Sequence, residues 1–123
     1  MTSAFAVALG GLLGSVARYW LNAVIQSRAA TLFPLGIFVV NVLGCFAIGL
    51  IAATAAARGA RTDVVLFLTT GVCGGFTTMS AFSFDTVILM QQGHAGLAVL
   101  NVAATIGACL LAVWLGLQAG TPN

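Results

Sequence analysis

Long apolar stretches separated by short polar segments organise this sequence. No charged residue lies between Arg28 and Arg58, between Asp63 and Asp85, or after Asp85, with His94 taken as neutral. Each of these intervals is longer than the roughly 18 uncharged residues that are typical of a membrane-spanning helix. The pattern predicts four spanning helices, at about residues 4–24, 35–57, 64–90 and 95–117.

The composition agrees with a lipid environment. Of 123 residues, 61% are hydrophobic and 5% are charged, four basic and two acidic, whereas a soluble domain carries about 25% charged residues. This composition excludes an ordinary soluble enzyme, and no basic stripe suggests a nucleic-acid partner. With short connections between the spans, residues 1–123 are predicted to form a single all-α transmembrane domain in the lipid bilayer.

Candidate catalytic and metal-binding chemistry is sparse. Cys45, Cys73 and Cys109 lie inside the apolar stretches, and their separations match no metal-ligand pattern, so they are interpreted as packing residues. His94 lies in a polar turn with no nucleophile or carboxylate pair near it in sequence. We therefore predict that the protein is not an enzyme.

The basic residues are almost evenly divided between the two sides of the membrane. An even number of spans places both termini on one side, together with Arg58 and Arg61. Arg28 lies on the other side, and Arg18 lies in the half of the first span nearest to that side. Because an excess of basic residues on one side is what fixes orientation, this balance suggests insertion in both orientations, giving an antiparallel dual-topology dimer.

Small residues at helical spacing predict close contacts between helices. The glycines interpreted in this way are Gly10, Gly14, Gly44, Gly49, Gly116 and Gly120.

The third span is predicted to be interrupted in the middle of the membrane. Three glycines within residues 71–75 are followed by Thr77 and Thr78, and glycine costs about 1 kcal/mol relative to alanine inside a helix. Two half-helices would result, one ending near Cys73 and one starting near Thr78. Unpaired carbonyls at the first end favour a cation, and unpaired N–H groups at the second favour an anion. The alternative is a packing kink in which the glycines admit a neighbouring helix.

Residues next to this predicted interruption could contact an anion. The hydroxyls of Ser80 and Ser83 can donate hydrogen bonds, and the electropositive edge of the Phe82 ring can face an anion. Met79 shares a helix face with Phe82. Asn41, a lone amide in the second span, either joins helices or lines a pathway.

Three motifs, at residues 10–19, 34–44 and 71–83, resemble the Fluc/CrcB family of fluoride channels over nearly the whole chain. The resemblance implies an antiparallel homodimer in the cell inner membrane, with two pathways that export fluoride and lower its toxicity. It also implies a structural sodium ion, not transported, at the dimer centre. This Na⁺ would be bound by the backbone carbonyls of Gly74 and Thr77 from both subunits.

The resemblance also assigns the pore. Asn41 matches the family's pore-lining asparagine, Phe82 matches one of its two phenylalanines that face fluoride, and Ser80 and Ser83 match its polar stripe. Met79 stands where the family has the other phenylalanine.

Two charged positions have alternative interpretations. Arg18 matches an arginine of the first span and is expected either in a vestibule or extended to the lipid interface. Asp85 falls where the family has an acidic residue and is either a vestibule residue or a solvated charge at a helix end.

Several positions depart from the family pattern and favour an alternative function. Besides Met79, Ala81 stands where the family commonly has threonine. Ala108 and Ala112 lie where relatives have hydroxyl side chains in the fourth span, and the hydroxyl of Thr105, one turn earlier, could take their place. These changes allow a non-conducting or half-functional subunit of a paired fluoride channel. A small multidrug-type antiporter is less favoured, because it needs a membrane carboxylate and the first two spans contain none.

Overall fold

A computed structural model describes residues 2–121, which form helices and no strand. In chain order the helices are α1 (Thr2–Arg28), α2 (Leu35–Arg58), α3 (Thr62–Leu66), a π-helix (Phe67–Cys73), α4 (Gly74–Phe76), α5 (Met79–Gln91) and α6 (Ala95–Gly120). Four segments are long and apolar enough to cross a membrane: Ser3–Arg28, Leu35–Arg58, Thr62–Gln91 and Ala95–Gly120. For residues 2–121, the prediction of an all-α protein with four segments long and apolar enough to span a membrane is confirmed.

The first helix is longer than predicted. It ends at Arg28, so the first connection shortens to residues 29–34. Gln26, in the last turn of α1, holds this connection: its Nε2 donates to the Phe33 carbonyl at 3.3 Å, and its Oε1 accepts from the Gly36 N–H at 3.2 Å. These bonds fix the entry of the chain into α2.

Glycine contacts join α1 to the third segment. A Cβ placed on Gly71 would lie 2.9 Å from the Gly10 Cα, and one placed on Gly75 would lie 2.6 Å from the Gly11 carbonyl oxygen. A Cβ on Gly14 would collide with the Val72 carbonyl. No side chain larger than hydrogen fits at these points, so the glycines allow backbone-to-backbone packing.

Glycines likewise join α2 to α6. Gly116 lies against the backbone of Phe46, and Gly120, four residues later, lies against the backbone of Leu50, again four residues later. The two helices therefore run parallel. Gly49 completes the contact from α2, which confirms the predicted packing role of these glycines.

The third segment is interrupted at two threonines. Thr77 (φ −78°, ψ 155°) and Thr78 (φ −151°, ψ 116°) are extended, whereas Gly74 keeps helical angles (φ −64°, ψ −38°). The expectation that the first part ends near Cys73 was wrong, because helical residues continue to Phe76. Gly71 and Gly75 form the contact with α1 described above, so these two glycines serve helix packing, as the alternative prediction had it. The interruption itself is at the two threonines.

Candidate functional site

The side chain of Asn41 holds the interruption in place. Asn41 comes from α2 and is 7% exposed. Its Oδ1 accepts from the Thr78 N–H at 2.8 Å, and its Nδ2 donates to the Thr78 carbonyl at 3.1 Å. Because buried backbone polar groups require partners, one amide replaces the helix hydrogen bonds that extended Thr78 gives up.

Thr78 also begins the following helix. Its Oγ1 accepts from the Ala81 N–H at 3.2 Å, so it caps α5. A threonine at this position satisfies one of the free N–H groups of the first turn. The start of α5 therefore depends on Thr78 through both its backbone and its side chain.

Two carbonyl oxygens next to the interruption lose their usual helical donors. The N–H four residues after Gly74 is that of Thr78, which bonds to Asn41, and the N–H four residues after Thr77 is that of Ala81, which bonds to the Thr78 hydroxyl. Gly74 is also exposed on the surface of the chain. Free carbonyl oxygens at a helix end suit a hard cation such as Na⁺, so the residues that the family resemblance implies for sodium fit this ion chemically.

An open groove of about 320 Å³ lies beside Asn41. It is lined by Asn41, Cys45, Thr77, Thr78, Met79, Phe82, Thr105, Ile106, Cys109 and Leu110. Most of this wall is apolar, and a few amide, hydroxyl and thiol groups are placed along it. Such a lining surrounds a small ligand with few, fixed polar contacts.

The structure brings some of the predicted pore residues together and separates others. Asn41, Met79 and Phe82 line the same groove, with Phe82 7% and Met79 71% exposed. Ser80 and Ser83 are exposed on α5 outside the groove of the single chain. The Ser80 hydroxyl lies 3.1 Å from that of Thr78.

The two predicted vestibule residues lie apart from this groove. Arg18 lines a separate open cavity of about 290 Å³ together with Ser15, Tyr19, Asn22, Ile37 and Ala81. Asp85 is half-buried on α5 and forms no salt bridge with any residue of the described range 2–121.

Comparison with known proteins identifies the family. Residues 5–117 match the family model described as CrcB-like protein, Camphor Resistance (CrcB). The chain belongs to the CrcB family. It is 45% identical over 118 residues to a protein of Paramagnetospirillum magneticum, covering 94% of this chain and 92% of the relative. A protein of Paracoccus denitrificans is 46% identical over 114 residues, with 93% and 90% covered. Both relatives are named "Fluoride-specific ion channel FluC", and the resemblance seen in the sequence is confirmed.

A buried polar cluster of this CrcB chain was missed by sequence reasoning. Asn101, on α6, is 1% exposed. Its Nδ2 donates to the Thr86 hydroxyl at 2.8 Å, and its Oδ1 accepts from the Thr105 hydroxyl at 3.2 Å. The cluster joins α5 to α6. An amide and a hydroxyl four residues apart in an apolar span are the signal that could have revealed it.

Proposed function

We propose that the chain is a fluoride-selective passive channel that exports fluoride across the cell inner membrane and lowers its toxicity. The observation that carries the proposal is the pair of hydrogen bonds between Asn41 and Thr78, which holds an opened helix beside a groove. The names of the relatives support fluoride as the ion. They also describe channels rather than enzymes, in agreement with the prediction that the chain is not an enzyme.

Within this proposal, fluoride sheds much of its water and passes between fixed donors. The Asn41 amide has two N–H bonds, of which one is used by the Thr78 carbonyl, so the other is free to donate to the anion. The Phe82 ring lines the same groove and offers its electropositive edge. The hydroxyls of Ser80 and Ser83 continue the path on the exposed face of α5, and selectivity follows from donor placement and pore width.

We place the interruption at the middle of the membrane. Thr77 and Thr78 lie at the centre of the spanning segment Thr62–Gln91. Extended backbone is tolerated at that depth where protein or a wet cavity surrounds it. The groove borders Thr77 and Thr78 on one side, and the Asn41 amide pairs with the backbone of Thr78.

The functional unit in this proposal is an antiparallel homodimer. Gly74, Ser80 and Ser83 are exposed in the single chain, and lipid offers no hydrogen-bond partner to the Gly74 carbonyl or the Ser83 hydroxyl. A second copy in the opposite orientation would cover this surface. The near-equal division of basic residues between the two sides allows both orientations.

A structural sodium ion belongs to the same proposal. The carbonyl oxygens of Gly74 and Thr77 lack their usual helical donors, and the same pair from the second copy would complete the site. When bound, Na⁺ would supply a positive charge that balances these carbonyl dipoles. The chain's own part is to hold the carbonyls in place through Asn41 and Thr78.

A non-conducting or half-functional subunit of a paired channel is the second candidate. Met79 favours it, since this side chain is 71% exposed at the groove and has no aromatic edge. Conduction would then require a different chain as partner.

Fluoride efflux from liposomes separates these candidates. The purified single protein is reconstituted into vesicles loaded with potassium fluoride, and efflux is followed with a fluoride electrode after a potassium ionophore is added. Rapid efflux that does not depend on a proton gradient, with much slower chloride efflux, supports the channel. Silence from protein shown to be inserted as a dimer supports the partner subunit. Efflux that requires a proton gradient contradicts both.

A further inference from the structure

The parallel packing of α2 and α6 places two cysteines opposite each other. The Gly49 Cα lies against the backbone of Val113 and Leu117. Cys45 lies one turn before Gly49 on α2, and Cys109 lies one turn before Val113 on α6. Because the helices run parallel, Cys45 and Cys109 also face each other. Both line the groove, and both are free cysteines that are half-buried.

We propose that Cys45 and Cys109 form a two-thiol site for a soft metal cation that accepts linear coordination, the chemical class of Hg²⁺, Ag⁺ and Cu⁺. Thiolates select soft metals of this kind. Each sulfur forms a bond to the metal and releases its proton, so one ion displaces two protons with no change of oxidation state.

The number of ligands selects this class of metal. Among residues 2–121 no group of three or more His, Cys, Asp or Glu side chains could hold a metal ion. A closed tetrahedral zinc site needs four such ligands, whereas a linear two-coordinate ion needs two. Cys73 is buried and does not line the groove, so it serves as the internal control.

The site lies next to the proposed fluoride path. One further turn back along the same two helices stand Asn41 and Thr105, which line the groove as well. A metal ion held between Cys45 and Cys109 would therefore obstruct the groove. This consequence rests on the proposed channel function, whereas metal binding does not.

Mercury binding to the purified, reduced protein in detergent tests the site. Hg²⁺ is titrated without any other thiol while near-ultraviolet sulfur-to-metal absorbance and proton release are recorded, and the affinity is measured separately by competition with a monothiol. We expect one Hg²⁺ per chain, two protons released per ion, and protection of both Cys45 and Cys109 from alkylation. C45S and C109S should each bind roughly 100- to 10,000-fold more weakly, since the second bond is intramolecular, while C73S should match the unaltered chain.

Phenylmercury is the matched probe, because it has one open coordination position and should be removed by the same competitor from every variant. Equal Hg²⁺ affinity in C45S and the unaltered chain, or protection of one thiol per ion, would overturn the proposal. So would a disulfide between Cys45 and Cys109 that persists after treatment with excess reductant. In liposomes, Hg²⁺ should block fluoride efflux of C73S but not of C45S. If the protein binds Hg²⁺ as expected but does not conduct fluoride, the thiol-site proposal stands and the channel proposal is refuted.

Discussion

The amide of Asn41 pairs with both backbone polar groups of Thr78, from a position 37 residues earlier in the chain. A single side chain on α2 thus determines where the third segment stops being helical. The same pairing diverts the Thr78 N–H from Gly74, which frees one of the two carbonyls assigned to sodium. The proposed anion and cation sites therefore share one structural cause.

Replacing Asn41 with alanine should disable the site. N41A leaves the N–H and carbonyl of Thr78 without partners, and each unsatisfied buried group costs about 1–3 kcal/mol. We expect a lower free energy of unfolding in detergent and fluoride efflux near that of protein-free vesicles. V42A, on the next residue of α2, removes only apolar atoms and should retain efflux. Full efflux by N41A would contradict the role given to this amide.

Restoring a ring at Met79 should increase conduction. Met79 is 71% exposed, so M79F introduces little crowding and adds an aromatic edge at the groove. If that contact is worth about 0.5–1.5 kcal/mol, fluoride efflux should rise by about two- to tenfold. M90F, on a methionine of α5 that is 60% exposed and lies outside the groove, should leave efflux unchanged. A parallel rise in both variants would count against a specific ring contact.

Alanine should have different effects on the free energy of unfolding at two glycines of α6. A Cβ on Gly116 would collide with the Phe46 carbonyl and lie 2.9 Å from the Leu50 nitrogen, whereas one on Gly107 meets nothing within 4 Å. G116A should lower the free energy of unfolding by about 1–3 kcal/mol, while G107A should be neutral or raise it by up to about 1 kcal/mol. Unfolding by denaturant in detergent gives both values, and a stabilising G116A would refute the close α2 and α6 contact.

Asn101 should stabilise the junction of α5 and α6. N101A removes its bonds to Thr86 and Thr105, and we expect a loss of about 1–2 kcal/mol in the free energy of unfolding. T86V removes one of the two bonds and should cost less. V102A, on the next and more exposed residue, is the control. If N101A unfolds like V102A, the cluster carries no stability.

Replacing Gly74 should weaken the dimer without preventing the single chain from folding. A Cβ at Gly74 would meet the Thr69 carbonyl at 3.7 Å, an ordinary contact, so G74A should fold. Crowding of its exposed carbonyl should weaken the dimer and its response to sodium. Dimer fraction is measured by crosslinking in Na⁺ and in a large organic cation; the unaltered protein should dissociate in the latter. Sodium-independent dimers of the unaltered chain would remove the sodium proposal.

The local sequence was enough to predict part of the site. The glycines of the third segment and the threonines after them predicted an irregular helix. Neighbouring residues in the sequence did not show that the glycines serve packing and the threonines interrupt the helix. Residue 75 must be glycine because the Gly11 backbone packs on it, and Thr78 is extended because Asn41 supplies its hydrogen bonds. Both causes come from residues distant in sequence. The bond of Asn101 to Thr86 likewise depends on another helix, whereas its pairing with Thr105, four residues later, has a local signal.

By itself, the sequence predicted the lipid environment, the four apolar segments, the packing glycines and the family, because these depend on composition, spacing and motif order along the chain. The sequence also predicted that a helix starts near Thr78. Tertiary structure alone decided that the preceding glycines stay helical while Thr77 and Thr78 are extended, and that Cys45 meets Cys109. The physical reason is that a backbone hydrogen bond lost in one helix must be replaced by whichever side chain packs against it. That neighbour is set by the register between helices, which no local pattern encodes.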